Sequence, residues 1–107
     1  MAHAVSIWLL VAAFFGAGVF NAVGTADTRR DFARWGYPAA WWGRLTGGLE
    51  IVAAILIALP QARIVGLALG SAIIAAAAVT VLRHRDVRHL PPIGGFVVLL
   101  GLAAAAP

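Results

Sequence analysis

The sequence predicts an all-α protein, a transmembrane four-helix bundle with a short interfacial helix between its first and second spans. Three observations carry this. Hydrophobic residues make up 63% of the 107-residue chain and charged residues 11%, against roughly 45–50% and 25% in a soluble domain. The apolar residues fall into four runs, separated by polar or proline-bearing breaks. A soluble chain this short could not bury so much apolar surface, so the bilayer is the solvent that accepts it.

The chain reads as one domain, 1–107. The runs are residues 4–23, 42–59, 64–82 and 92–106. A span needs roughly 17–25 residues, which the first three supply. The fourth is shorter and is expected to stand upright or thin the bilayer locally. Residues 1–6 hold no Lys or Arg, so the first run is expected to be a membrane helix and not a cleaved signal peptide. Pro60-Gln61 separates the second run from the third so briefly that the two helices must be antiparallel neighbours. Pro91 and Pro92 open the fourth helix, where a missing backbone N–H costs little.

The first loop, residues 24–41, is the longest. Thr28 followed by Asp31 resembles a capping box. Phe32 and Trp35 then share one face, with Arg29, Arg30 and Arg34 around it. Gly36 and Pro38 stop the turn. The pattern predicts a short helix lying among the headgroups. Tyr37, Trp41 and Trp42 are expected in one aromatic belt, and Trp8 in the opposite one.

Orientation follows from arginine counting. The first and third loops hold Arg29, Arg30, Arg34, Arg44, Arg83, Arg85 and Arg88, and the second holds only Arg63. The positive-inside rule places loops one and three in the cytoplasm of a multi-pass cell-membrane protein, with both termini outside. All eight basic residues are Arg and the formal charge is +4. Their place between apolar runs points to anionic headgroups as partners and away from nucleic acid.

Glu50 is the residue most expected to carry chemistry. It lies about eight residues into the second span, roughly 12 Å deep at 1.5 Å per residue. An ionised group there costs on the order of 2.5–3.5 kcal/mol, so it should face the bundle interior. Gly43, Gly47, Glu50 and Ala54 fall within about 60° on a helical wheel. Gly66, Gly70, Ala77, Thr80 and His84 form a second stripe on the third helix, within about 80°. If the stripes face each other, Glu50, Thr80 and His84 gather in the cytoplasmic half, and Asn21 can join them. Such a pocket suits the head of a lipophilic molecule. Its acid and imidazole could also exchange a proton, with Glu50 and His84 as the catalytic pair. The ligand-binding candidates are therefore Asn21, Gly47, Glu50 and Thr80. Each also has an ordinary structural reading as a packing spacer or helix-to-helix hydrogen bond.

Other chemistries lack support. Without cysteine there is no disulfide framework and no thiolate metal site. The three histidines, at positions 3, 84 and 89, are dispersed, so no metal site is expected. There is no phosphate loop, dinucleotide fingerprint or serine nucleophile motif, and no intrinsic cofactor is expected.

Several stretches resemble the DoxX-like family of small four-helix membrane proteins. They are Phe32-Ala-Arg-Trp-Gly-Tyr-Pro38, Gly47-Gly-Leu-Glu50, Pro60, Ala77-Ala-Val-Thr80 and Leu82-Arg-His84. The resemblance covers nearly the whole chain. It implies a four-helix bundle and a link to quinone-coupled sulfur oxidation, membrane redox complexes or oxidative-stress responses. Relatives often carry a Lys near the inner end of the first helix, where Asn21 stands here. A Lys could pair with the helix-two acid as an ion, whereas Asn can only hydrogen-bond it. A protonated Glu50 is therefore the expected form.

The reading that follows is a membrane subunit binding a quinone or isoprenoid-like molecule, accessory to a redox process. One alternative is a membrane isomerase or cyclase using Glu50. Another is an assembly protein in which Glu50 only joins helices. Small multidrug exporters share the span number but carry their acid in the first helix, which here has no ionisable residue inside the membrane. Glycine-lined outer faces would suit a homodimer.

Overall fold

Each helix begins and ends where the chain supplies a capping group or a break. The computed structural model describes residues 2–38 and 41–105. Its described residues form five α-helices and no strand: α1 (Ala2–Val23), α2 (Ala26–Arg34), α3 (Trp42–Ala58), α4 (Arg63–Arg83) and α5 (Leu90–Ala104). The all-α expectation holds. Three segments have the length and hydropathy to cross a bilayer, His3–Val23, Pro60–Arg83 and Val87–Ala104. The helix α3, at 17 residues, is shorter. The long axis of the molecule measures 41 Å, about the thickness of a bilayer with its headgroups.

Boundaries moved little from expectation. The fourth long helix starts two residues early, because Pro91 and Pro92 fit its first turn. Ala106, the last residue of the expected fourth run, lies outside the described residues. The predicted capping box at Thr28 and Asp31 is corrected. The helix starts one turn earlier, with Thr25 as its cap accepting from the Thr28 amide at 3.2 Å. Gly24, at φ +68°, ends α1 at once and lets α2 begin two residues later.

The four long helices stand side by side, α1 between α3 and α5, and α4 between the same two. The tightest seam joins α1 to α3, which run antiparallel. A Cβ placed on Gly18 would lie 2.6 Å from the Ile51 side chain, and one on Gly47 would strike the Gly18 carbonyl. The expected apposition of the α3 and α4 stripes is thereby corrected. The α3 stripe meets α1, and Gly66 of α4 packs on Ile57 at the far end of α3. In lipid, apolar contact gives no hydrophobic gain over contact with acyl chains, so close van der Waals approach is what selects a helix partner.

The bundle is solid in one half and hollow in the other. Ile7, Leu10 and Phe14 of α1 pack with Ala53, Ala54 and Ile57 of α3 and with Leu100 and Ala103 of α5. All lie toward the α3–α4 turn. Large apolar side chains point outward instead of inward, among them Trp8, Phe15, Val52, Ile55 and Val98. That inversion suits an apolar solvent.

Gly47→Val should force α1 and α3 apart at a cost of about 1–3 kcal/mol. Gly48→Ala, whose added Cβ meets nothing within 4 Å, should be neutral or stabilising by about 0.5–1 kcal/mol. Thermal unfolding in detergent, followed by circular dichroism, separates the two; equal effects would sink the packing argument.

Candidate functional site

In the hollow half the four long helices and α2 surround a half-open cavity of about 510 Å³. Toward the solid half it is lined by Ile74 and Phe96, and the Phe96 ring lies 4.8 Å from that of the fully buried Phe14 behind it. Its walls include Ala17 and Phe20 of α1, Leu49 of α3, Ile73 and Ala77 of α4, and Ile93 of α5. Its cover is the inner face of α2, carrying Thr28 and Phe32, with Trp35 capping its C-terminal end.

Glu50 opens into this cavity and is 6% exposed. Asn21 Nδ2 donates to Glu50 Oε1 at 2.5 Å. The contact follows from the glycine seam, which brings the last turn of α1 against α3. No cation pairs with Glu50 among the described residues. Thr80 lies across the cavity on α4. Its hydroxyl donates to the Ala76 carbonyl at 2.9 Å and meets the Tyr37 hydroxyl at 2.7 Å. Thr46 also lines the wall, with its hydroxyl proton committed to carbonyls of its own helix.

Tyr37 and Trp42 do not sit in an outward belt. Their rings stack in parallel, with centroids 4.5 Å apart and planes 8° off, and both line the cavity. Trp41 and Trp8 do face outward. The backbone explains Tyr37. Residues 32–37 close a Schellman turn, with Gly36 at φ +86°, Gly36 N donating to Ala33 O and Tyr37 N to Phe32 O.

An ion-pair network holds the cover down. Arg34 of α2 donates to Asp86 in the loop after α4, and to Asp31 at 2.8 Å. Arg88 reaches Asp86 at 3.1 Å and Asp31 at 3.3 Å. The Trp35 ring packs edge-on against His89, 5.3 Å away. Burial pushes the Asp86 carboxyl up, but the hydrogen bond from Arg88 and the charges of Arg34, Arg88 and His89 outweigh it and hold the carboxyl below its ordinary value. Ligand atoms of Asp31, Asp86 and His89 come within 4.8 Å of one another. Arg34 and Arg88 already occupy both carboxylates, and their charges would repel a divalent cation, so the cluster is an ion-pair network.

The sequence profile described as the DoxX-like family matches residues 5–106. The chain belongs to the DoxX-like family. No curated protein and no solved structure matches it.

This DoxX-like chain brings together Asn21, Glu50 and Thr80 of the expected site residues. Two others lie elsewhere. Gly47 is pressed into the α1–α3 seam and does not line the cavity. His84 caps the exposed end of α4, its Nδ1 2.8 Å from the Thr80 carbonyl oxygen. Tyr37, Trp35, Asp86 and His89 were missed. The available signal was that Asp31 and Asp86 each sit inside an arginine-rich loop, where an acid suggests cross-loop pairing.

The depressed Asp86 carboxyl fixes the sign of a pH effect. The ion pairs stabilise α2 docking above the unfolded-state value of about 3.9. That contribution is lost as pH falls through the lower folded-state value. Amide-exchange protection in Ala26–Arg34, corrected for intrinsic rates, should keep the Asp86 contribution down to about pH 4 and lose it below. Asp86→Asn should lower protection at neutral pH and flatten the acid transition; an unchanged profile would remove Asp86 from this role.

Proposed function

We propose that this DoxX-like protein binds a lipophilic small molecule, a quinone or isoprenoid-like compound, with its polar head beside Glu50. The observation that carries the reading is the half-open cavity with mostly apolar walls and the Asn21–Glu50 pair inside it. Its volume of about 510 Å³ falls within the usual roughly 300–1,000 Å³ of small-molecule sites. Asn21 occupies one carboxyl oxygen of Glu50. We take the acid as neutral, since an unpaired charge in this setting is costly. Its second oxygen then presents a proton to a carbonyl or hydroxyl head. Further support comes from the buried Trp35 Nε1, which has no hydrogen-bond partner and belongs to a residue of the cavity cover. Buried polar atoms rarely stay unpaired.

The assignment to a membrane redox process, as an accessory subunit, rests on the family resemblance. We count α3 as a fourth span and place the Arg-rich end in the cytoplasm, with both termini outside. Arg29, Arg44, Arg83 and Arg85 are exposed and unpaired among the described residues, which suits anionic headgroups there. The solid half argues against transport, since the core around Leu10, Phe14 and Ile57 fills it. The position of His84 outside the cavity argues against the Glu50–His84 proton-transfer alternative.

Decylubiquinone added to the protein in lipid nanodiscs should raise the unfolding temperature by several degrees. Glu50→Gln, a weaker donor than a carboxylic acid, should bind roughly tenfold less tightly, equivalent to about 1.4 kcal/mol. Ala77→Phe should fill the cavity and abolish the shift. No shift in the unmodified protein, or an equal shift in Glu50→Gln, would count against the reading.

A further inference from the structure

The cavity needs an entrance, and the structure closes three routes. The packed core behind Ile74 and Phe96 fills the far end. The α2 helix covers the loop end, tied down by Arg34, Arg88, Asp31 and Asp86. The α1–α3 seam is shut by Gly18 and Gly47. The α3–α4 seam is different. At its turn end Gly66 brings the backbones together, its built Cβ 2.6 Å from Ile57 N. At the other end no glycine of either helix contacts the facing one. There Leu49 of α3 and Ala76 of α4 line the cavity and are both exposed, Leu49 by 39%.

Tyr37 bridges that end of the seam. Its ring lies flat on Trp42 of α3, and its hydroxyl reaches Thr80 of α4. The direction of that bond can be deduced. Thr80 has one hydroxyl proton and donates it to Ala76 O. Thr80 is then the acceptor, and the Tyr37 phenol donates. The bond is a single neutral hydrogen bond, of the kind worth about 0.5–1.5 kcal/mol net. It can hold a seam shut and still open on thermal fluctuation. Its partner in the loop, Gly36, fixes the backbone that delivers Tyr37.

We propose that the α3–α4 seam is a lateral entrance from the bilayer, latched by the Tyr37–Thr80 hydrogen bond, for an amphiphile whose tail stays in the seam. The inference rests on the ligand-binding reading above. It makes Tyr37 a residue that controls passage more than affinity. An occupant larger than the cavity is accommodated, because only its head must fit inside. The α1–α5 side also carries exposed cavity-lining residues, Phe20 and Pro92, and it is the competing route.

The test has two arms. In the first, stopped-flow quenching of tryptophan fluorescence follows decylubiquinone binding in nanodiscs. Tyr37→Phe, which keeps the ring stack and loses the latch, should raise the association and dissociation rates together by about fivefold, more than it changes Kd. Thr80→Val should do the same, and the double variant should add little. Unchanged rates in both, with rates altered by Phe20→Ala, would move the entrance to the α1–α5 side and overturn the proposal. A raised Kd at an unchanged association rate would overturn it too, because Tyr37 would then be a ligand contact only. The second arm uses no ligand. With Trp8, Trp35 and Trp41 replaced by Phe, brominated phosphatidylcholine should quench Trp42 more strongly in the Tyr37→Phe background than with Tyr37 present. Equal quenching would refute the latch. If decylubiquinone never binds, the ligand reading fails, and this arm still decides whether Tyr37 closes the seam.

Discussion

The close approach of α1 and α3 is the constraint on which the rest of the site depends. Gly18, Gly43 and Gly47 let two backbones meet where any side chain would collide. Lipid offers no hydrophobic gain for joining helices, so this fit decides which helices pair. It also sets the chemistry, because the same approach delivers Asn21 to Glu50. A wider seam would leave the acid without its one hydrogen-bond donor and the amide facing acyl chains.

The loop end of the molecule is held by a different force. There α2 is amphipathic and short, and its apolar face of Phe32 and Trp35 is matched by a polar edge of Arg34 and Asp31. The pairing with Asp86 and Arg88 crosses more than fifty residues of sequence. Exposed ion pairs contribute little singly, but a network around a buried carboxylate fixes geometry better than isolated pairs. Packing thus secures the helix seam, and charge secures the cover over the cavity.

Much of this was legible in the sequence, and the limits have physical causes. Helix ends were readable because Gly24, Pro60, Pro91 and Pro92 act locally, within a residue or two of the break. The inward-facing Glu50 was readable because an acid within an apolar run has few tolerable positions. The partner of the α3 stripe was not, since a helical wheel shows which face is small and not which helix it meets. Tyr37 and Trp42 read as belt residues because the composition of a belt and of a cavity rim is the same. Their inward turn depends on the Schellman geometry at Gly36. His84 lies on the wheel face shared by Thr80, yet it falls on the capping residue of α4, beyond the cavity's reach. The Thr28 cap was misplaced by one turn because Thr25 and Thr28 are chemically equivalent candidates three residues apart.

The packed core that backs the cavity beyond Phe96 has a consequence for exchange. A pore allows an arriving molecule to displace the one ahead of it, as neighbouring ions do in a selectivity filter. A cul-de-sac forbids this. With a single mouth, an occupant of the space beside Glu50 would have to back out before a successor entered, so exchange would be governed by departure. Raising the concentration of a competitor in the surrounding membrane would fill vacated sites sooner without hastening a single exit.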